Sequence, residues 1–172
     1  MQYRIESDLL GEKEVPNEVY YGIHTLRALE NFPLSSLKMN TVFIQAFAQV
    51  KKACAKANLK LGFLEEQKGK AILKAFDEVI EGHLHEQITV DPLQGGAGTS
   101  TNMNFNEVIT NRALELLGHT KGSYHIIHPL DDVNKHQSTN DVYPTALKVA
   151  SIFLLQELSE EIAKLQGGFQ EK

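Results

Sequence analysis

The sequence predicts a mainly α-helical protein. Four stretches of the chain repeat apolar residues at every third or fourth position, which is the spacing of one buried helix face. Alternating apolar and polar residues, the pattern of a half-buried strand, occur only in short, scattered pieces. With 172 residues, 42% hydrophobic and 23% charged, the chain has the composition of a globular domain that buries a core.

The N-terminal residues 1–39 differ from the rest because they show no sustained period. Turn-forming residues interrupt them at Gly11, Pro16, Gly22 and Pro33. We expect an extended, loop-rich arm here, with one short helix near Thr25–Glu30.

Two helices are predicted to follow this arm. The first begins after Asn40, a good capping residue, and stops before Gly62. Its apolar stripe consists of Phe43, Phe47, Val50, Cys54 and Ala57. The second runs from about Glu65 to Glu81, and Gly82 follows it. Its apolar side consists of Ile72, Ala75, Phe76, Val79 and Ile80.

A third helix is predicted to begin at Asn104. Asn104 and Glu107 match the spacing of a capping box, in which each side chain binds the backbone N–H of the other residue. The apolar stripe of this helix consists of Val108, Ile109, Ala113, Leu116 and Leu117, and Gly118 ends it.

The fourth predicted helix is the longest. Its start is expected near Ser138–Asp141, because Pro144 is tolerated only in the first turn of a helix. Gly167 and Gly168 are expected to break the helix near its end. Its predicted buried face consists of Leu147, Ala150, Leu154, Leu158, Ile162 and Leu165.

Two runs of small polar residues stand in the long connections before the third and fourth helices. The first polar run is Gln94–Asn104, and the second polar run is Gln137–Thr145. A helix start leaves backbone N–H groups unpaired and carries the positive end of the helix dipole, so anions collect there. Since both runs lack Lys and Arg, they predict a carboxylate site built from neutral donors.

The alternative interpretation is that both runs are only helix caps and turns, because hydroxyl and amide side chains favour such positions. A cap needs one side chain, however, and each run supplies three or four consecutive ones. We therefore favour a binding site. The residues concerned are Thr99, Ser100, Thr101, Asn102, Ser138, Thr139 and Asn140.

Other functional classes fit the sequence less well. Gly95–Gly98 lacks the Gly-Lys-Ser/Thr ending of a phosphate-binding loop, and neither Ser100 nor Ser138 has the Gly-x-Ser-x-Gly setting of a hydrolase nucleophile. His83 and His85 cannot share a helix face, so no metal site is predicted. A net charge of −5 without a basic cluster argues against nucleic acid as a partner.

The setting indicated is a soluble, cytoplasmic protein. Cys54 is the only cysteine, which excludes an internal disulfide and suits a reducing compartment. The N-terminus shows no signal-peptide pattern, and no apolar run has the roughly 18 residues that a membrane span requires.

Several segments resemble the aspartase/fumarase superfamily of lyases. The two polar runs carry the most specific resemblance, together with Asn106–Val108 and Asn134–His136. The segments Glu6–Pro16 and Tyr20–Pro33 agree as well, so the resemblance extends over essentially the whole chain. Details that favour the aspartase branch over the fumarase branch are Leu9-Leu10-Gly11-Glu12, Tyr21 before Gly22, Gly98-Thr99-Ser100 and Ser138-Thr139-Asn140.

The resemblance implies reversible elimination of ammonia from L-aspartate to give fumarate, with no organic cofactor. By match to the family's motif, Thr99, Ser138 and Thr139 would bind the β-carboxylate. Asn140 would contact the α-amino or α-carboxylate end of the substrate. Ser100, Asn102 and Asn104 are expected to lie behind these substrate-binding residues and to hold them in position. Two alternatives stay open: a fumarase or another lyase of the superfamily, and a non-catalytic carboxylate-binding module.

The resemblance also implies a homotetramer, in which residues 1–139 form the N-terminal domain and residues 140–172 begin the central helical bundle. The family's catalytic serine lies in a downstream Gly-Ser-Ser-x-Met-Pro-x-Lys-x-Asn loop, which these 172 residues do not contain. We therefore expect an N-terminal part that binds carboxylate and is inactive alone. Its last helix is expected to expose part of its apolar stripe, and either to self-associate or to dock onto the N-terminal domain. Leu130 stands where the family usually carries Asn, so the secondary carboxylate site that fumarases form at His128–Asn134 is not expected.

Overall fold

Five α-helices and one β-hairpin form the secondary structure of the computed structural model, which describes residues 2–94 and 96–170. The prediction of a mainly α-helical protein is confirmed. Met1, Gly95 of the first polar run, Glu171 and Lys172 lie outside the described residues. In chain order the elements are β1 Tyr3–Asp8, β2 Gly11–Pro16, α1 Ile23–Asn31, α2 Thr41–Lys60, α3 Glu66–Ile80, a 3-10 turn His85–Gln87, α4 Thr99–Leu116, a π-helical turn Pro129–Val133 and α5 Thr139–Gln170.

The hydrophobic core lies between α2, α3 and α4, and the beginning of α5 packs against α2. An aromatic cluster marks the point where α2, α4 and α5 meet. The ring centroids of Phe47 and Phe105 are 4.6 Å apart, and those of Phe43 and Tyr143 are 5.2 Å apart. Because Phe105 and Tyr143 lie near the starts of α4 and α5, this cluster holds the two helix starts close together.

The helices α2 and α3 begin and end close to where the sequence predicts. The side chain of Asn40 accepts hydrogen bonds from the backbone N–H groups of Val42 at 2.8 Å and Phe43 at 3.4 Å, which confirms it as an N-cap. Glu65 caps α3 in the same way, accepting from the backbone N–H of Gln67 at 2.9 Å. Caps of this kind stabilise a helix by about 1 kcal/mol each.

The N-terminal arm is more ordered than predicted. β1 and β2 pair antiparallel, with Tyr3 opposite Pro16, in a hairpin that the sequence pattern does not reveal. The helix α1 confirms the short helix expected near Thr25–Glu30. Arg4 of β1 donates to the carbonyl groups of Pro16 at 2.8 Å and Tyr21 at 2.6 Å, so it ties the hairpin to the segment that leads into α1.

The helix α4 begins at Thr99 rather than Asn104, and the predicted capping box is wrong. Asn104 lies buried inside the helix, where its Oδ1 accepts from the backbone N–H of Thr89 at 2.9 Å. Its Nδ2 donates to the carbonyl of Gln87 at 2.9 Å. The local pattern was misleading because Asn104 and Glu107 both bind backbone groups that are distant in sequence.

Glu107 of α4 caps α1 instead of its own helix. Its carboxylate accepts from the backbone N–H groups of Gly22 at 2.9 Å, His24 at 2.8 Å and Thr25 at 3.0 Å, and from the Thr25 hydroxyl at 2.6 Å. Gly22 permits this approach, because a Cβ there would lie 2.8 Å from Oε1 of Glu107 and 2.5 Å from the hydroxyl of Tyr124. Burial raises the pKa of Glu107, whereas these hydrogen bonds favour its ionised form.

The start of α5 agrees with the sequence, but its end does not. The helix begins at Thr139, within the predicted range, although Pro144 lies beyond its first turn. It continues through Gly167 and Gly168 to Gln170, so the predicted break is wrong. Glycine lowers helix stability by about 1 kcal/mol per residue without blocking the helical conformation.

The predicted buried face of α5 is wrong for the described residues. Ala150 is buried as predicted, but the remaining members are exposed: Leu147 54%, Leu154 44%, Leu158 54%, Ile162 55% and Leu165 61%. The side chains that α5 does bury, besides Ala150, are Val142 and Ala146. The apolar period is therefore real, but within the described part of the chain this side of the helix meets solvent. Within residues 2–94 and 96–170, no helix, α5 included, is both long enough and apolar enough to cross a membrane.

Candidate carboxylate-binding site

The two polar runs lie against each other at the starts of α4 and α5. Nδ2 of Asn102 donates to Oγ1 of Thr139 at 3.1 Å, which joins the first run to the second. Gly98 packs on the ring of Tyr143, where a Cβ would lie 2.2 Å from the nearest ring atom, and its φ of +85° favours glycine. Both runs contribute to a cleft of about 300 Å³ whose lining includes Gln94, Gly96, Ala97, Asn140 and Tyr143.

The first polar run is closed on itself by Gln94. Its Nε2 donates to the carbonyl of Asp91 and to Oγ1 of Thr101, both at 2.8 Å, and its Oε1 accepts from the backbone N–H of Thr101 at 2.9 Å. These bonds bridge the base of the glycine-rich turn that precedes α4. Thr101 is fully buried, so its hydroxyl stabilises the turn and does not face the cleft.

The residues expected to bind substrate differ in their exposure. Thr99 is the first residue of α4 and is exposed, as are Ser138 and Asn140 at the start of α5. Thr139 and Ser100 are half-buried. Oγ of Ser138 accepts from the backbone N–H of Asn140 at 3.2 Å, which orders the first turn of α5. Thr99, Ser138 and Asn140 are therefore open to a ligand, and of the three Asn140 is among the residues that line the cleft.

The start of α4 also supplies backbone donors. Gly98 provides no side-chain cap for this helix. The first intrahelical bond runs from the N–H of Asn102 to the carbonyl of Gly98 at 2.9 Å, so the N–H groups of Thr99 and Ser100 precede the helical ladder. Such groups attract anions. The site therefore combines hydroxyl and backbone donors, all of them neutral.

A buried lysine lies behind both polar runs. Lys51 of α2 is 0% exposed, and its Nζ donates to Oδ1 of Asn102 at 2.9 Å, Oδ1 of Asn134 at 3.1 Å and Oε1 of Gln137 at 2.8 Å. Burial lowers the pKa of Lys51 to about 7. A single side chain therefore contacts the first run, the second run and the connection that leads to the second run.

Reasoning from the sequence missed Lys51, although a signal was present. Lys51 stands between Phe47 and Cys54 on the apolar side predicted for the helix that begins after Asn40. Lysine is almost never fully buried unless its charge finds polar partners. A lysine on a core-facing stripe therefore indicates a buried polar network, even when the partners cannot be named.

Asn102 is the junction of this network. It is 2% exposed, its Oδ1 accepts from Lys51, and its Nδ2 donates to Asn134 and Thr139, each at 3.1 Å. It contacts the second run directly. Asn104 contacts the connection before α4 instead, by way of Thr89 and Gln87.

The histidines have local contacts of their own. Nε2 of His85 lies 2.8 Å from the carbonyl of Val79, and Nδ1 of His136 lies 2.8 Å from Oδ1 of Asn58. Within residues 2–94 and 96–170, no group of three or more His, Cys, Asp or Glu side chains could hold a metal ion. Asn58 also donates to the carbonyl of Lys135 at 2.9 Å, so His136 belongs to the packing beneath the second run.

Residues 11–172 match the model of a protein family described as lyase. The chain belongs to this lyase family. It is 52% identical over 171 residues to the aspartate ammonia-lyase of Bacillus subtilis (strain 168), and 49% identical over 172 residues to that of Escherichia coli (strain K12). These alignments cover 99% and 98% of the chain but 36% of each relative. The chain therefore spans about a third of the length of the curated relatives it matches.

Solved structures of lyases share the fold. A fumarate lyase:delta crystallin from Brucella melitensis matches with a TM-score of 0.96 at 51% identity, over 99% of this chain and 40% of that one. A class II fumarase from Schistosoma mansoni matches with a TM-score of 0.80 at 38% identity, over 87% of this chain and 32% of that one. The expected aspartase/fumarase fold is thereby confirmed, while the domain boundary near residue 139 stays a prediction.

Proposed function

We propose that the full-length protein is an aspartate ammonia-lyase, which reversibly eliminates ammonia from L-aspartate to give fumarate. Relatives of that name are 49% to 53% identical to the chain, whereas the solved class II fumarase is 38% identical. The observation that carries the proposal is the 3.1 Å hydrogen bond between Asn102 and Thr139, because it joins the two polar runs beside the cleft that both of them line.

The proposed chemistry needs donors of this kind. A base removes a proton from the carbon beside the β-carboxylate, the bond between the α-carbon and nitrogen breaks, and ammonia leaves. Removal of the proton drives a second negative charge onto the β-carboxylate. Donors that already point at its oxygens stabilise the developing charge without reorganisation, and this lowers the barrier more than it strengthens substrate binding.

The proposed roles follow the family's motif. Thr99, Ser138 and Thr139 donate to the β-carboxylate, and Asn140 contacts the α-amino or α-carboxylate end. Thr139 is prepared for this role because its oxygen accepts from Asn102, which leaves its one O–H proton to be donated elsewhere. The catalytic base is proposed to be the family's serine, in a loop that is not among these 172 residues.

The proposed assembly is a cytoplasmic homotetramer that works without a cofactor. The exposed apolar face of α5 supports this assembly, because a helix face with Leu154, Leu158 and Ile162 each about half exposed is typical of an interaction surface. In the proposed tetramer this face packs against helices of the central bundle. The lone cysteine, Cys54, suits a reducing compartment.

Assays of the purified full-length protein test the proposal. We expect release of ammonia from L-aspartate, with fumarate formed in equal amount, to exceed hydration of fumarate. Faster hydration would identify a fumarase. Binding of fumarate without either turnover would identify a non-catalytic carboxylate-binding module. For substitutions in the two polar runs, Ser123→Ala is the matched control. The Ser123 hydroxyl bonds the Thr120 hydroxyl at 3.0 Å in an exposed turn away from both runs.

A further inference from the structure

The charge of Lys51 has no counterion in the described ranges. Its hydrogen-bond partners are three amide oxygens, and no carboxylate of residues 2–94 or 96–170 forms an ion pair with it. The titratable group that influences it most closely is the thiol of Cys54, and the ring of Phe47 lies 5.7 Å from its Nζ. A fully buried, uncompensated charge is costly.

The geometry around Nζ favours the protonated form. The three amide oxygens lie at 2.8 to 3.1 Å from Nζ, and each accepts one hydrogen bond from it. Only an ammonium group has three N–H donors, whereas a neutral amine would turn a lone pair toward one of these oxygens. The acceptors therefore oppose the effect of burial on the pKa of Lys51. A positive charge is held directly behind the two polar runs.

A continuous chain of hydrogen bonds leads from this charge to Thr139, which precedes Asn140 of the cleft lining. Lys51 donates to Oδ1 of Asn102, which polarises that amide, and Nδ2 of Asn102 donates to Oγ1 of Thr139. The Thr139 hydroxyl is then oriented and made a stronger donor. The same Asn102 amide also donates to Asn134, which fixes its plane.

We propose that Lys51 is a positioning residue that supplies the positive charge of the carboxylate site, orienting the Asn102–Thr139 pair and stabilising the second negative charge of the intermediate. This inference rests on the proposed function and adds a cation to a site that otherwise consists of neutral donors. The charge acts from behind the donors, so it does not pair directly with substrate.

Variants that neutralise the charge but keep Lys51 in place provide the test. Asn134→Asp retains an oxygen for Lys51 and loses one donor, the 3.1 Å bond from Nδ2 to the carbonyl of Gln137. Gln137→Glu also retains an oxygen for Lys51 and loses a different donor, the 2.8 Å bond to the carbonyl of Val133. An effect shared by both variants therefore reports the charge and not either lost bond.

The expected size follows from Coulomb's law. One unit charge about 8 to 10 Å from the β-carboxylate, at an effective dielectric constant of about 20, changes an equilibrium or a rate by roughly 15- to 30-fold. In the full-length enzyme we expect both variants to lower kcat by about this factor, with a similar rise in KM, because the carboxylate gains charge between substrate and intermediate. Their melting temperatures should stay near that of the wild type, since each gains a buried ion pair.

Lys51→Met and Lys52→Met complete the series. Lys51→Met should lower kcat at least as much as the neutralising variants. Lys52→Met is the matched control, because the neighbouring Lys52 is partly exposed and pairs with Asp77 on the outside of α2. It should leave kcat and KM unchanged.

The outcomes distinguish an effect of the charge from a loss of folding and from a failure of the proposed reaction. If Asn134→Asp and Gln137→Glu both keep wild-type kcat and KM while folded, Lys51 is only a structural tie and the inference is overturned, whether or not Lys51→Met folds. If the wild-type protein hydrates fumarate but does not release ammonia from aspartate, the proposed function fails. The Lys51 series is then read on hydration, where the same fold-changes would support it.

Discussion

Thr139→Val tests the site most directly, because the change keeps the shape of the side chain and removes one hydroxyl. In the structure this hydroxyl oxygen accepts from Nδ2 of Asn102 at 3.1 Å, and Asn102 is 2% exposed. Valine leaves one N–H of that buried amide without an acceptor. We expect the free energy of unfolding of the full-length enzyme to fall by about 1 to 3 kcal/mol.

The same change removes a donor to the β-carboxylate. Loss of one such donor costs on the order of 100-fold in turnover, or about 2.7 kcal/mol of transition-state stabilisation. Initial rates of fumarate formation measure this effect, and chemical denaturation measures the effect on stability. A fall in kcat and kcat/KM together indicates a contact that strengthens in the transition state, whereas a rise in KM alone indicates ground-state binding.

Ser138→Ala separates the two effects. Oγ of Ser138 is exposed and accepts only from the backbone N–H of Asn140 at 3.2 Å, so stability should fall by about 1 kcal/mol or less. Turnover should nevertheless fall about as far as in Thr139→Val. Ser123→Ala should change neither quantity. If Thr139→Val and Ser138→Ala both retain near wild-type turnover and affinity in a folded enzyme, these residues are helix caps and the site assignment is refuted.

Three further predictions concern the full-length enzyme away from the cleft. Glu107→Gln should lower the free energy of urea unfolding by roughly 2 to 3 kcal/mol, because an amide keeps one acceptor for four donors, and an unchanged value would contradict its role as the cap of α1. Hydrogen bonds from Arg112 lower the pKa of the Glu78 carboxyl below 4.5, so their stabilisation is present above that pH and is lost as the pH falls through the lowered pKa. Arg112→Met should therefore lower the melting temperature at pH 7 and converge with the wild type in acid, and a difference that persists at low pH would argue against this linkage. Leu158→Glu should dissociate the proposed tetramer in sedimentation velocity, and an intact, equally stable tetramer would show that this face of α5 is not an interface.

The sequence predicts α2 and α3 well because their signals are local. Asn40 and Glu65 cap the backbone N–H groups that follow them, and the apolar stripes pack on the core. The start of α4 was missed because Asn104 bonds to Thr89 and Gln87, and no local rule names partners so distant in sequence. The apolar stripe of α5 predicted burial correctly only at Ala150, because periodicity shows that a face is apolar without showing what covers it.

The candidate site was predictable by residue type but not by geometry. Several consecutive hydroxyl and amide side chains at two helix starts favour anion binding over simple capping. That both starts share one cleft depends on the bond from Asn102 to Thr139 and on the packing of Gly98 against Tyr143, which only the folded chain provides. Lys51 was not among the predicted site residues, although its position on an apolar stripe already indicated a polar network behind the site.

The placement of the proposed cation has a physical consequence for catalysis. An arginine in the cleft would pair with the carboxylate of substrate and product directly, and binding both ground states tightly does not raise kcat. Lys51 is fully buried and acts on the site only through Asn102 and Thr139, so it makes no direct contact with substrate or product. Its field still acts on every charge that develops in the cleft, and more strongly on a doubly charged carboxylate than on a singly charged one. Neutral donors in front and a fixed charge behind therefore favour the intermediate over the substrate, which is the difference that a lyase of this kind needs.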